Sequence, residues 1–510
     1  MTILQANNIT KNFPGVVAND NVNFSLEKAE IHVLLGENGA GKTTLMNILY
    51  GLEMPDRGEI IVNGEQVIFN SPNDAICRGI GMVHQHFMLV PVFTVTENII
   101  LGVEETKKKF KWWGNWGILD RKNPEKKIIE LGESLSLNIN PNSLVGELSV
   151  GIQQKVEIIK ALYRGAQVLI LDEPTAVLTP QEVKELFGVM RNLTRQGMGV
   201  ILITHKLKEV MEIADRISVM RQGKIIVTCT PEETNEEMLA EMMVGRKVIL
   251  QVDKTPAILG DKVLQVDNLY VKNDRHNLVV NQVNFTVHSG EIFGIAGVDG
   301  NGQQELIEAI MGLRGVKGGN IRILGKNTTN KTTREIREAG VVYVPEDREK
   351  YGVVGEYSVQ DNLILSSYYQ PPFAEGIVLQ SGAIAANGKK LVQEFDVRPP
   401  DINYAVGALS GGNKQKVIIA RELSGNGKLL IACQPTRGVD VGSIEFIHKR
   451  IVAARDAGMG IVLISAELDE ILALCDRVAV MFKGNFLKIL SINKVNREKL
   501  GLLMGGVSLE

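Results

Sequence analysis

The sequence predicts an α/β fold repeated twice in tandem, each copy built on a mainly parallel sheet. Three observations predict it: a duplication at one constant offset, β-branched apolar runs alternating with amphipathic segments, and a glycine-rich loop between an apolar run and a helical one. The duplication sets the domains. IHVLLGENGAGKTT at 31–44 is matched by IFGIAGVDGNGQQE at 292–305, and LSVGIQQ at 148–154 by LSGGNKQ at 409–415. LILDEPT at 169–175 is matched by LIACQPT at 430–436, and ILITH at 201–205 by VLISA at 462–466. Each pair is 261 positions apart, as are Gln85 and Glu346. Chance does not keep one offset over that distance, so the chain reads as two homologous domains, 1–246 and 262–504. The stretch 247–261, with proline, glycine and mixed polarity, reads as a linker, and 505–510 as a flexible tail.

Within each half, runs such as VLILD and GVILIT read as strands of a largely parallel sheet. QEVKELFGVMRNLTRQG has helical spacing, with Val183, Leu186, Phe187 and Met190 on one side. A stretch from about 97 to 147, richer in helix and charge, reads as an inserted helical subdomain that reaches about 165 with the helix after LSVG. Residues 79–96 reach membrane length but carry two His, a Gln, a Pro and two Thr, so they read as a strand and a loop rather than a spanning helix. The N-terminus shows no apolar run of signal length. A chain of this kind can touch a membrane complex without crossing the bilayer.

Composition narrows the classes further. The 510 residues exceed one typical core, and 44% hydrophobic with 23% charged residues is ordinary globular composition. Lys plus Arg is 56 against 59 for Asp plus Glu, a net charge of -3. This balance argues against a protein that grips nucleic acid through global positive charge, though a local basic patch stays open. Four scattered cysteines form no CxxC pair, so a disulfide scaffold or cysteine zinc site is not expected.

The chemistry is concentrated in the first half. GENGAGKT at 36–43 follows an apolar run and precedes a helix, the context in which Gly36, Glu37, Asn38, Gly39, Ala40 and Gly41 wrap backbone N–H groups around phosphate. Lys42 would reach the β- and γ-phosphates, Thr43 would place its hydroxyl on Mg²⁺, and Thr44 continues the loop into the helix. VLILDEP at 168–174 delivers two carboxylates at a strand end: Asp172 suits Mg²⁺, and Glu173 suits orienting or deprotonating the attacking water. Gln85 ends another apolar strand and can bridge Mg²⁺ or that water to the helical subdomain. His84 and His86 flank it without a third ligand, so zinc is not expected there. His205 ends GVILIT and could bond the γ-phosphate.

The phosphate loop, Gln85, LSVG, LDEPT and His205 in this arrangement resemble the ATP-binding cassette (ABC) ATPases over nearly the whole chain, twice. The likeness is greatest to the fused two-cassette ATPases of simple-sugar and nucleoside importers, with VPEDREKYGVV and QPTRGVD resembling that group in particular. The resemblance implies cassettes with an antiparallel β part beside the core sheet and the helical subdomain. It implies ATP and Mg²⁺ as cofactors and an internal head-to-tail pair of cassettes. In that pair the first phosphate loop would be completed by Leu409, Ser410, Gly411 and Gly412 and approached by Asp440, with Phe13 stacking on adenine. A buried core aromatic is the alternative for Phe13.

By the same resemblance the second site is degenerate. Gln303 stands for Lys42, Gln304 for Thr43, Cys433 for Asp172, Gln434 for Glu173, Ala466 for His205 and Glu346 for Gln85. Its donated signature is Leu148, Ser149, Val150 and Gly151, with valine where glycine is expected, and Thr179 replaces the aspartate that would serve it. Hydrolysis is therefore expected at one site only. The implied partners are two integral-membrane permease subunits and an extracytoplasmic substrate-binding protein, with no nucleic acid, at the cytoplasmic face of the cell membrane. Segment 87–96 and VVGEYSVQDNLIL are candidate docking regions, with core packing the alternative for the first. Trp112, Trp113 and Trp116, set among lysines, suit a lipid-headgroup surface, an added protein contact or a local basic loop. A nucleoside cargo is favoured over a simple sugar by likeness. A ribosome-acting twin cassette and an inert nucleotide-binding scaffold are the other classes considered.

Overall fold

The computed structural model describes residues 1–84, 88–104, 106–107, 118–135, 137, 139–175, 178, 180–247, 254–298 and 300–506. The chain divides into two compact units, Met1–Val248 and Ile249–Glu510. Of the expected linker, 248–253 lies outside the described residues, as does 507–510 of the expected tail. Lys254 and Thr255 belong with the second unit: the Lys254 ammonium donates to the Leu474 and Cys475 carbonyls at 2.9 and 2.6 Å, and Arg455 donates to the Thr255 carbonyl at 3.0 Å.

In the first unit a six-stranded sheet runs in the order Lys224–Cys229, Arg216–Arg221, Ile31–Gly36, Gly199–Thr204, Val168–Asp172, Ile80–Val83. All its pairs are parallel except the first. The central strands are apolar at almost every position because both faces are covered, and every residue of Ile31–Gly36, Val168–Asp172 and Gly199–Thr204 is buried. A second, antiparallel sheet orders Val16–Glu27, Thr2–Phe13, Arg57–Val62 and Glu65–Val67. Its inward residues Leu4, Ile9 and Phe24 share one core with Leu45, Ile170 and Ile201. The second unit repeats both sheets, its six-stranded order being Val341–Val344, Leu429–Cys433, Gly460–Ser465, Ile292–Ala296, Arg477–Phe482, Asn485–Ser491.

The helical subdomain of the first unit comprises Val95–Ile100, Lys122–Ser134 and Val150–Tyr163, with a short ladder of Thr106–Lys107 against Ile118–Leu119 that the sequence reading did not anticipate. Asn98 anchors its start. This side chain accepts from the Val90 N–H at 2.7 Å and donates to the Val90 and Thr94 carbonyls, both at 3.1 Å. Asn362 makes the same set with Val354 and Ser358. These equivalents are 264 positions apart rather than 261, so the second unit holds three extra residues before this point. Among the described residues no helix is long and apolar enough to cross a membrane. Of helix Pro180–Arg195, Leu186, Phe187 and Met190 are buried and Val183 is partly so.

Candidate active site

Glycine shapes the first phosphate loop. Gly36 ends the strand Ile31–Gly36, and a Cβ there would lie 2.4 Å from the Met220 carbonyl oxygen. Gly41 has φ +101°, and its Cβ would lie 2.1 Å from the Ala18 oxygen. A side chain at either position would force the loop off the neighbouring strands. Beyond Gly41 the helix Lys42–Leu49 starts with no acidic residue in its first turn, which leaves its positive end uncompensated for an anion. Thr43 is exposed and Thr44 half-buried in that turn, and Glu37, Asn38, Gly39 and Ala40 form the curve before it.

Lys42 is buried and folds back over its own loop, donating to the Gly36 and Glu37 carbonyls at 2.8 and 2.9 Å. Burial pulls its pKa down, against Glu173, Asp172 and Glu37, which favour the ammonium. The carboxylates arrive from the parallel sheet. Asp172 ends the buried strand, in register with Ile203 of the next one. Glu173 follows at φ +45°, with its N–H bonded to the Ile203 carbonyl at 3.0 Å. That left-handed turn brings Glu173 Oε1 to 2.9 Å from His205 Nδ1, just past the strand Gly199–Thr204.

The environment drives the two carboxylates apart. Burial and the neighbouring Glu173 charge push Asp172 up to about 6, although Lys42 opposes them. Burial also raises Glu173, but the His205 hydrogen bond and the His205, Lys42 and Lys206 charges outweigh it and hold the group below the ordinary range. A divalent cation beside Asp172 would relieve the crowding of two carboxylates, so the set of Asp172 with the Thr43 hydroxyl fits Mg²⁺. The loop amides, the helix end and Lys42 fit a nucleotide triphosphate.

A stability prediction follows for the cation-free protein. With a folded-state pKa above the unfolded one, the native state binds the Asp172 proton more tightly. Its stability therefore falls as pH rises through about 6, by about 2–3 kcal/mol in all. Asp172→Asn is expected to raise the unfolding temperature in EDTA at pH 8, with the gap closing towards pH 4. Calorimetry checks it, and a variant less stable than wild type at pH 8 contradicts it.

Phe13 is 41% exposed, which excludes the core-aromatic alternative. It pairs with Val16 at the tip of the hairpin Thr2–Phe13/Val16–Glu27, and Lys11 Nζ lies 5.4 Å from its ring centroid. Asn19 of the same hairpin is fully buried and donates to the Gly41 carbonyl at 3.2 Å, tying the hairpin to the phosphate loop. Sequence reasoning missed Asn19, since it is one of four Asn and Asp residues between 19 and 23 that the sequence does not tell apart. It also missed Gln154, buried on the helix after LSVG, which donates to the Pro174 carbonyl at 2.9 Å. Gln85 lies outside the described residues, with His86, Phe87, Thr179, Trp112, Trp113 and Trp116. Of segment 87–96, Met88 and Val92 are 65% and 76% exposed, whereas Val95 and Thr96 are buried.

In the second unit the replacements are bonded locally. Gln303 donates to the Val298 carbonyl at 3.1 Å, and Gln304 to Glu308 at 2.8 Å. Gln434 keeps the left-handed turn at φ +46°, and its Oε1 accepts from the Ala466 N–H at 3.1 Å. Cys433 is buried, and burial followed by the Glu346 charge raises its thiol pKa. Glu346 pairs with Arg437. The signature is compact: Leu409 is buried, and Ser410 caps the helix Gly411–Leu423 by accepting from Asn413. Asp440 caps Val441–Asp456, accepting from Ser443 N–H and Oγ at 2.8 and 2.9 Å. A Cβ on Gly412 would lie 2.3 Å from Asp440 Oδ2, so glycine is required where the two helix starts meet. In the first unit Ser149 makes no such cap bond, Val150 is 42% exposed and Gly151 is buried against Glu182.

The family model described as ABC transporter matches residues 19–176 and again 280–437. The chain is 51% identical to the guanosine import ATP-binding protein NupO of Bacillus subtilis (strain 168), over 99% of this chain and 97% of that one. It is 50% identical to the nucleoside import ATP-binding protein NupA of Lactococcus lactis subsp. cremoris (strain MG1363), over 99% and 98%. The glucose import ATP-binding protein TsgD13 of Haloferax volcanii is 46% identical, over 99% and 96%. Among solved structures, the archaeal ribosome recycling factor aABCE1, in complex with the ribosomal stalk protein aP1, aligns with 98% of this chain and 92% of its own, at a TM-score of 0.62. Its 17% identity makes that a likeness of fold.

Proposed function

This chain belongs to the ABC transporter family as a two-cassette ATPase, and from that premise we propose that it is the energy-coupling subunit of a nucleoside importer with one hydrolytic site. The observation that carries the one-site reading is the contrast at matching positions. Lys42, Asp172, Glu173 and His205 form one charged cluster in the first unit, whereas Gln303, Cys433, Gln434 and Ala466 occupy those places in the second. In the working site Lys42 and the loop amides bind the phosphates, and Thr43 and Asp172 would hold Mg²⁺, which would supply charge neutralisation. Glu173, kept ionised, takes the proton of the attacking water, and His205 orients Glu173 and the terminal phosphate. From its place in the sequence, Gln85 would bridge Mg²⁺ or the attacking water to the helical subdomain. We assign Phe13 to stacking on the base and, from the family resemblance alone, Ser410, Gly411, Gly412 and Asp440 to the nucleotide's phosphates.

The cargo reading draws on relatives named for guanosine and nucleoside import at 51% and 50% identity. The glucose-import relative, at 46%, keeps a sugar as the second reading. We place the chain at the cytoplasmic face of the membrane with two permease subunits and an extracytoplasmic binding protein. Support comes from two grooves, one in each unit. One, of about 250 Å³, is lined by Tyr50, His84, Met88 and Glu157, and the other, of about 390 Å³, by Tyr351, Val353, Val354 and Leu365. Met88 comes from segment 87–96, and Val353, Val354 and Leu365 from VVGEYSVQDNLIL, the two candidate docking regions. Uptake of labelled guanosine and of labelled glucose by cells carrying Glu173→Gln tests the cargo. Loss of guanosine uptake alone is expected, and loss of glucose uptake alone overturns the nucleoside reading.

A further inference from the structure

The three extra residues of the second unit lie in one loop. Lys160 donates to the Met88 carbonyl at 3.1 Å, and Arg421, at the matching place, donates to the Gly352 carbonyl at 2.9 Å. Met88 is three residues after Gln85, but Gly352 is six after Glu346, so the insertion falls within DREKY at 347–351. It folds into a single π-helical turn, Arg348–Gly352, a form frequent at functional sites. Asp347 fixes its start, with its side chain accepting from the Glu349 and Lys350 N–H groups, both at 3.0 Å.

This turn grips the signature region from several directions. Arg348 donates to the Arg437 carbonyl at 2.7 Å and the Gly438 carbonyl at 3.0 Å, two residues before Asp440. Its Nη2 also lies 2.9 Å from where a Cβ on Gly411 would stand, so it rests against the first residue of the signature helix. Glu346 pairs with the Arg437 side chain. Glu349 accepts from Lys414, one helical turn into the signature helix, at 2.7 and 3.0 Å. The first unit has no charges to build this: Gln85, Gln153 and Ala176 stand where Glu346, Lys414 and Arg437 do.

We propose that this inserted turn is an ionic clasp and that Arg348, with the Glu346–Arg437 pair, is a positioning residue for ATP hydrolysis. It fixes the start of the signature helix and the loop carrying Asp440 in one geometry. It acts through the signature helix and the Asp440 loop, and the claim rests on the one-site reading above. The same turn contributes Lys350 and Tyr351 to the lining of the larger groove.

The test uses the assembled transporter. Arg348→Ala and the single reversals Glu346→Arg and Arg437→Glu are each expected to lower kcat about tenfold with the ATP KM within twofold. The double reversal is expected to recover at least half of the wild-type rate. A second readout is amide hydrogen exchange of 410–414 and 438–443 without nucleotide, which should speed up in the singles and return in the double. Wild-type kcat and exchange in the singles, or a double no better than the worse single, overturns the clasp. Glu173→Gln is measured alongside. If it keeps turnover, the one-site reading fails by itself, and exchange alone then decides whether the clasp exists.

Discussion

Glu173→Gln is expected to cut ATP turnover of the assembled transporter at least about a hundredfold, the lower end of what a general base contributes. The substitution is unusually clean. The left-handed backbone at Glu173 is a demanding position, but the second unit holds glutamine at the same turn with nearly the same φ, +46° against +45°. Folding should therefore be preserved. What is lost is a carboxylate that His205 and the Lys42 and Lys206 charges keep ionised despite burial. Glutamine has no basic oxygen to receive the proton of water, while the phosphate loop is untouched. The ATP KM should accordingly change little as kcat collapses. Phosphate release by the purified complex checks this, and turnover above a tenth of wild type contradicts the single hydrolytic site.

Lys42→Ala should be comparably severe, whereas Gln303→Ala should leave turnover within about twofold. The two side chains occupy corresponding places at the first helical residue after the loop, and both are buried. Lys42 brings a charge to the loop, its ammonium held by the Gly36 and Glu37 carbonyls and drawn by three carboxylates. Losing it removes phosphate attraction, the charge that opposes the upward shift of Asp172, and one of the charges that hold Glu173 ionised. Gln303 only braces its loop through the Val298 carbonyl. Its loss removes one neutral hydrogen bond, about 1 kcal/mol of stability. Turnover and unfolding temperature of the two variants, side by side, separate a working loop from a structural one. Equal loss of turnover in both would mean that both clefts work.

Much of this was legible before any coordinates. Backbone-dominated features carry strong local signatures: Gly41 is legible because only glycine fits its φ and its contact with Ala18, and VLILD because a doubly covered parallel strand is apolar throughout. Repetition at 261 positions then exposed each replaced residue in the second unit by simple comparison. What stayed hidden depends on tertiary partners. Asn19 and Gln154 act through single bonds to distant carbonyls; Asn19 stands in no motif, and Gln154 ends the repeated LSVGIQQ without that motif naming its partner. The shift from 261 to 264 falls between motifs that do align, so the extra turn at Arg348–Gly352 is marked only by the matching bonds of Asn98 and Asn362. His205 was expected at the γ-phosphate, and the structure adds its bond to Glu173, which a linear motif cannot express.

The bend at Gln434 repeats the one at Glu173. A non-glycine residue held in that conformation costs of the order of 1–3 kcal/mol, usually tolerated where chemistry needs it. Here the bend carries an amide in place of an acid: the Gln434 main-chain N–H donates to the Ile464 carbonyl, as Glu173 does to Ile203, and its side-chain Oε1 accepts from the Ala466 N–H. On the one-site reading, the second cassette keeps the bend that aims Glu173 in the first and uses it as a joint between two strands.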